Sequence, residues 1–275
     1  SMIKSIYLII FFFISLSSFA QHGINTNWLQ TLRQIPPVGT NDTLQGSVAN
    51  NMVVDRSGKV IIFYKFNGIN YWAGSSDNGL TWTSPTPSAV SPCQTTGNNS
   101  SISADIDTSG VIHIIWRGTS PYGLYYAKYS SSWTNAEKIN TSVISSITFS
   151  QITIDRKNRL HVMWQDGDHN SSSDTAACFY LRSTNSGSNW STQILLSAYI
   201  SGKPAAFPVA DFSGTLSDNL YISWREKTDN NINVNGWDVK GVRTSNGGLN
   251  WSSPAFAASG IYHQWDPNIV IDRNG

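Results

Sequence analysis

The sequence predicts an all-β fold: a β-propeller of four-stranded antiparallel blades, with about four blades and the opening strand of a fifth present in the 275 residues. Three observations predict it. One phrase recurs at roughly blade length, a second recurs out of phase with the first, and no segment of useful length carries a 3.6-residue apolar period.

The first phrase reads MVVDRSGKVIIFY from Met52, ADIDTSGVIHIIWR from Ala104, ITIDRKNRLHVMWQ from Ile152 and PVADFSGTLSDNLYISWR from Pro208, and restarts as IVIDRNG at Ile269. With Asp55, Asp107, Asp155, Asp211 and Asp272 as anchors, the intervals are 52, 48, 56 and 61 residues. Runs of Val, Ile, Tyr and Trp punctuated by Asp-x-Ser-Gly turns are strand chemistry, and this excludes helical solenoids. Each unit parses as a first strand ending at the repeat Asp, and a second ending near Tyr64, Trp116, Trp164 or Trp224. A third strand follows (INYWAGS, FYLRST), then a fourth beginning at a Trp. Units of this size with four strands are propeller blades.

The second phrase joins third to fourth strands: SSDNGLTW (Ser75, Asp77, Gly79, Trp82), STNSGSNW (Ser183, Asn185, Gly187, Trp190) and TSNGGLNW (Thr244, Asn246, Gly248, Trp251). Its Gly can take positive φ, its Asp or Asn can bond nearby N–H groups, and its Trp returns into the packing. The second unit keeps only the Trp, in YYAKYSSSW ending at Trp133. Trp116, Trp164 and Trp224 share one strand position and read as packing residues; His113 and His161 share another and read as structural.

The pattern Ser-x-Asp-x-Gly-x-x-Trp resembles the Asp-box of sialidases and related bacterial-neuraminidase-repeat propellers. The resemblance implies a sialidase-like propeller over residues 21–275, with the boxes on the rim opposite the active site. It equally fits non-catalytic lectin-like or structural propellers, so it specifies fold more firmly than activity. Sialidase propellers are six-bladed, so a chain stopping within the turn at Asn274-Gly275 is expected to be a fragment or an incomplete gene product.

Residues 1–20 carry Lys4, an apolar run Ile6 to Phe13 and small residues up to Ala20, which read as a cleaved signal peptide. The run is too short to span a bilayer, so a secreted, periplasmic or cell-surface protein with no membrane span is expected. Cys93 and Cys178 could pair or could be separate apolar groups. The 18 Lys+Arg and 17 Asp+Glu are scattered, which gives no footprint for nucleic acid; extracellular glycans or glycoproteins are the expected partners.

Loops joining second to third strands, and one blade to the next, share a face around the channel. They bring together Lys65, Arg117, Gln165, Asp166, Asp168, His169, Arg225, Glu226, Lys203 and the stretch holding Tyr262, His263, Trp265 and Asp266. The resemblance implies an Arg clamp for a substrate carboxylate, a Tyr nucleophile activated by Glu, and an Asp acid/base, because a neutral phenol avoids repulsion by that carboxylate. On this chain it implies Arg117 and Arg225 in the clamp, Glu226 beside a Tyr, and Asp166 or Asp168 as acid. Trp265, with His263, Asp266 and His169, is the candidate sugar platform. LRQIP at Leu32–Pro36 could supply a further clamp Arg33, or Asn27–Ile35 could be a clasping outer strand; the two exclude each other. The DGDHN run from Asp166 reads as a solvated turn, and neither metal nor cofactor is expected.

Overall fold

The computed structural model describes residues 50–66, 69–84, 86–87, 102–119, 121–141, 146–169, 175–212, 218–228, 236–260 and 267–271. Among them there is no helix, and the strands form four four-stranded antiparallel sheets. Blade one is β1 (Met52–Val54), β2 (Val60–Phe66), β3 (Ile69–Ser75) and β4 (Thr86–Pro87). Blade two is β5 (Ser103–Ile106), β6 (Ile112–Thr119), β7 (Tyr122–Tyr129) and β8 (Glu137–Lys138). Blade three is β9 (Ile147–Ile154), β10 (Leu160–Gly167), β11 (Ala176–Ser183) and β12 (Ile194–Leu195). Blade four is β13 (Ala205–Phe212), β14 (Leu220–Lys227), β15 (Trp237–Thr244) and β16 (Ala255–Ala258). Every blade is an up-and-down meander, and the first strands β1, β5, β9 and β13 touch in succession, which is the radial arrangement of a propeller.

The core lies between blades. Trp116 packs with Val53, Ile61 and Phe63 of blade one, Trp164 with Ile115 and Leu124 of blade two, and Trp224 with Met163 and Tyr180 of blade three. All three tryptophans are fully buried. A side chain of that size contributes about 1.5–3 kcal/mol or more by leaving water, and these three are the largest fully buried side chains among the described residues.

First strands are sheet edges whose outward N–H groups need partners. The preceding blade supplies them. Ser103 Oγ accepts from Ile152 N at 3.1 Å, Asp105 Oδ2 from Ile154 N at 2.7 Å, Gln151 Oε1 from Ala210 N at 2.9 Å and Asp211 Oδ2 from Ile271 N at 2.9 Å.

These bonds correct the repeat alignment in blade four. Asp211 pairs with Tyr221 within β13, as Asp105 pairs with His113, so it is a strand residue equivalent to Asp105. The turn-forming Asp55, Asp107 and Asp155 instead follow their strands and accept from N–H groups two and four residues on. The blade-four sequence VADFSG carries its one Asp at the position of Asp105 and has Ser213 where Asp107 stands in ADIDTSG.

The eight-residue phrases share one hydrogen-bond pattern. The hydroxyl of Ser75, Ser183 or Thr244 accepts from the N–H of Gly79, Gly187 or Gly248 at 2.7, 3.0 and 3.1 Å. The Asp77, Asn185 or Asn246 side chain accepts from the N–H four residues on at 2.8, 2.9 and 3.0 Å. The residue before each glycine also takes positive φ: Asn78 at 59°, Ser186 at 54° and Gly247 at 66°.

The outer strand does not begin at the phrase's Trp. It starts four residues later, at Thr86, Ile194 or Ala255, and in blade two at Glu137. Between them lies a clamp shared by all four blades. The residue after each Trp (Thr83, Thr134, Ser191, Ser252) donates its N–H to a third-strand carbonyl, Gly74, Lys128, Arg182 or Arg243, at 2.8–2.9 Å. Its hydroxyl accepts the N–H of that same residue at 3.0–3.1 Å. Blade two, without the phrase, closes its hairpin with this clamp and a Tyr129–Trp133 bridge.

The phrase's Trp docks on the preceding blade. Trp190 meets Tyr126 edge to face at 5.0 Å, Trp251 meets Tyr180 at 4.8 Å, and Trp133 meets Phe63 and Trp72, each at 6.2 Å. Behind the tyrosines run two relays: Asp107–His113–Tyr126 (3.3 and 2.7 Å) and Asp155–His161–Tyr180 (3.0 and 2.7 Å). His113 and His161 thus hold an interface between blades. Cys178 is a buried free thiol, and Cys93 lies outside the described residues.

Candidate functional site

The phrase turns and the Asp turns share one rim, because first and third strands run the same way. The opposite rim gathers the ends of second strands and the starts of first strands. There Lys65, Arg117, Gln165 and Arg225 hold one register position, as the ladder pairs Lys65 with Asn70, Arg117 with Leu124, Gln165 with Cys178 and Arg225 with Val239.

The side chains of Arg117, Gln165 and Arg225 each reach a different partner. Arg117 is buried, donates Nη1–H to the Ile147 carbonyl of blade three at 3.1 Å and lies 5.9 Å from the Tyr122 ring. Gln165 Oε1 accepts from Phe207 N at 3.4 Å, while its Nε2 donates to Gly167 O at 2.9 Å and lies 2.8 Å from His169 Nδ1. The buried Arg225 guanidinium stacks between Phe207 at 4.1 Å and Trp237 at 4.6 Å.

A compact aromatic mouth surrounds Arg225. Phe149 and Phe207 lie 3.9 Å apart, and His169 sits 5.7 Å from Phe149, 5.1 Å from Phe207 and 6.4 Å from Trp237. The two phenylalanines occupy equivalent β-bulges. In β9 the ladder steps from Gln151–Met163 to Thr148–Gln165, so Phe149 and Ser150 oppose Trp164. In β13 it steps from Val209–Ser223 to Ala206–Arg225, so Phe207 and Pro208 oppose Trp224. Bulges re-aim a side chain, here at a backbone cost: φ is 47° at Phe149 and 57° at Phe207. A bulky residue held there costs about 1–3 kcal/mol.

The acidic candidates separate. Glu226 neighbours Arg225 but points the other way, as successive strand residues do. Its Oε2 accepts the Trp224 indole N–H at 2.9 Å and its Oε1 takes the Lys240 ammonium, so its carboxylate serves the blade interior. Asp166 is buried and accepts from Ser146 N at 3.2 Å. Asp168 is exposed beside His169. Lys203 closes a small bridge with Ile200. Trp265, His263, Asp266, Tyr262 and Arg33 lie outside the described residues. Among the described residues, no three His, Cys, Asp or Glu side chains are placed to hold a metal ion, and no helix is long and apolar enough to cross a membrane.

Sequence reasoning missed Phe149, Phe207 and Trp237. The signal for the first two was present, since each stands five residues before the last residue of its strand, Ile154 or Phe212. The two-residue slip at Asp211 hid that match.

Comparison with solved structures agrees with the propeller. An ulvan lyase of polysaccharide lyase family PL25 superposes with a TM-score of 0.53 at 17% identity, over 77% of this chain and 56% of that one. The polysaccharide lyase Uly1 gives 0.51 at 11%, over 77% and 56%. The Hadza microbial sialidase Hz136 matches more loosely, at 0.48 and 15%, over 79% and 47%. At these identities the likeness carries the fold alone, and the chain spans somewhat over half the length of the lyases. No protein-family model matches the chain, and no curated protein does.

Proposed function

We propose that this chain is the propeller portion of an exported glycan-recognising protein, and that it takes an acidic sugar at the mouth formed by Phe149, His169, Phe207, Arg225 and Trp237. The observation that carries the proposal is Arg225 between Phe207 and Trp237 on the rim opposite the phrase turns, with His169 against the same rings. Apolar walls with a few convergent polar groups are the chemistry of a saccharide site, and a planar guanidinium matches a carboxylate or sulfate with two parallel bonds. An ulvan lyase that shares the fold at 18% identity was solved bound to -[GlcA(1-4)Rha3S]-, an acidic saccharide. Export rests on the signal-like first twenty residues.

A second reading is an exo-α-sialidase, favoured by the three Asp-box-like phrases. In it Arg225 and Arg117 clamp the substrate carboxylate, and the exposed Asp168 is better placed than the buried Asp166 to exchange a proton. The two readings part in one experiment with sialyllactose and a fluorogenic sialoside. Saturable binding that weakens at least tenfold in Arg225→Ala, without turnover, supports the binding module; turnover abolished in Arg225→Ala supports the hydrolase. Binding unchanged in Arg225→Ala sinks both.

A further inference from the structure

Gln165 is fully buried and stands at the register position that holds Arg117 and Arg225 in the neighbouring blades. Each end of its amide is committed. The Gly167 carbonyl can only accept and the Phe207 N–H can only donate, so the bonds at 2.9 and 3.4 Å fix which end of the amide is nitrogen. With one Nε2–H given to the Gly167 carbonyl, the other meets His169 Nδ1 at 2.8 Å. That ring nitrogen is therefore the acceptor, which makes His169 a neutral imidazole with its proton on Nε2. Turning the amide over would set oxygen against the Gly167 carbonyl and nitrogen against the Phe207 N–H, so the arrangement has no equivalent alternative.

One side chain thus reaches both walls of the Arg225 mouth. Its oxygen holds the backbone of the Phe207 bulge in blade four, and its nitrogen holds the ring of His169, just after β10 in blade three. Arg225 lies 4.1 Å from the Phe207 ring, and that ring lies 5.1 Å from His169. A second glutamine supplies the contrast. Gln151 bridges the same two blades, accepting from Ala210 N at 2.9 Å and donating to Ala210 O at 3.4 Å, so its amide serves a residue three positions beyond Phe207. We infer that Gln165 is the positioning residue of the acidic-sugar mouth: its amide sets the tautomer of His169 and the place of Phe207 beside Arg225. This rests on the glycan reading above and adds the residue that shapes the site.

The test compares Gln165→Met, Gln165→Glu and Gln151→Met with the wild-type chain. Three quantities are measured: sialyllactose affinity, the urea denaturation midpoint, and the position of the His169 proton from long-range proton–nitrogen spectra at about pH 8, with His169→Asn assigning the signals. In the wild type Nδ1 should carry no proton. In Gln165→Glu a carboxylate that can only accept should draw a proton onto Nδ1, a change that lost packing would not produce. Both Gln165 variants should bind sialyllactose about tenfold or more weakly, while Gln151→Met lowers the midpoint and keeps its affinity. A protonated Nδ1 in the wild type, or a bare Nδ1 in Gln165→Glu, overturns the inference. Equal losses of affinity in Gln151→Met and Gln165→Met overturn it by making Gln165 a general tether between blades, and so does affinity kept in both Gln165 variants. A wild-type chain with a bare Nδ1 that binds no sialyllactose overturns the glycan reading, and with it the part of Gln165 in binding, while its hold on His169 stands.

Discussion

The hydroxyl of Tyr180 in blade three lies directly against Gly248 of blade four, at the point where a Cβ on residue 248 would stand. Gly187 has the same relation to Tyr126, one blade earlier. The phrase glycine therefore does two things: it takes positive φ (81° at Gly248, 79° at Gly187) and it lets the preceding blade's tyrosine reach its neighbour. Among the described residues, a Cβ on Gly79, with φ 83°, would meet only Trp82, at 3.7 Å, so there it does only the first.

Three glycines in one motif should thus respond unequally. Gly79→Ala is expected to cost about 1–2 kcal/mol for the left-handed backbone alone. Gly187→Ala and Gly248→Ala add overpacking against a buried tyrosine and should cost about 2–4 kcal/mol in all. Urea denaturation of the three variants measures this; equal losses would contradict the docking role.

The relays behind those tyrosines set a pH dependence. Burial lowers the His161 pKa below 6.5, opposed by its bond to Asp155, and His113 is lowered likewise. Burial alone would raise Asp155, but its bonds to His161 and Arg159 outweigh that and hold it below 3.8. For the histidines, the unfolded chain binds more protons than the native one just below pH 6.5, so stability falls as pH drops through that window. His161→Gln should flatten the fall between pH 6.5 and 5. An unchanged profile in the His113→Gln, His161→Gln double variant would rule out this origin.

The turn phrases and the packing tryptophans were legible because each is written in local, invariant spacing: Trp190 follows Gly187 by three residues wherever the hairpin needs it. The mouth was legible only in part. Arg117 and Arg225 could be placed at one strand position, but what each touches is decided by the following blade or by a bulge. A bulge is a two-against-one register, and the sequence ITFSQITI does not announce which residue is the extra one. The hydroxyl after each Trp was visible as Trp-Thr or Trp-Ser in all four blades, yet its meaning needed the third-strand partner.

Asp105 gives a pH dependence of the opposite sign. Burial raises its carboxyl to about 6, against the bonds it accepts from Ile106 and Ile154, and Asp211 nearby raises it further. The native chain then holds more protons than the unfolded one between about pH 4 and 6, so this group makes stability fall as pH rises through that range. Asp105→Asn keeps an acceptor for Ile154 N and should remove that fall. A slope between pH 4 and 6 that is identical in Asp105→Asn would refute the assignment.

At the phrase's own acid the carboxylate matters only in acid solution. Hydrogen bonds from the Thr81 hydroxyl and backbone, and from Ser75, hold the half-buried Asp77 at about 2, so its contribution is present above 3.8 and lost as pH falls towards 2. Asn185 and Asn246 make the same turn with an amide oxygen, so Asp77→Asn should leave neutral-pH stability unchanged and remove this acid-side loss. A large neutral-pH loss would mean that blade one needs the charge.

The outer edge of a blade offers a sharper contrast. Asn140 Oδ1 accepts from Leu124 N at 2.7 Å, with both residues buried, whereas Thr134 Oγ1 accepts from Lys128 N at 3.1 Å where solvent can reach. Removing the first acceptor leaves a dry N–H without its partner, at a cost of about 1–3 kcal/mol; removing the second exchanges one bond for a bond to water, at about 0.5–1.5 kcal/mol. Asn140→Ala should therefore destabilise the chain more than Thr134→Ala, although both sit on the same short hairpin. Hydrogen exchange locates the effect, since the Leu124 amide should lose protection in Asn140→Ala while the Ile114 and Ile115 amides of β6 keep theirs. Loss of protection across all of blade two would instead mean that Asn140 holds the whole sheet, and the single-bond account would fail.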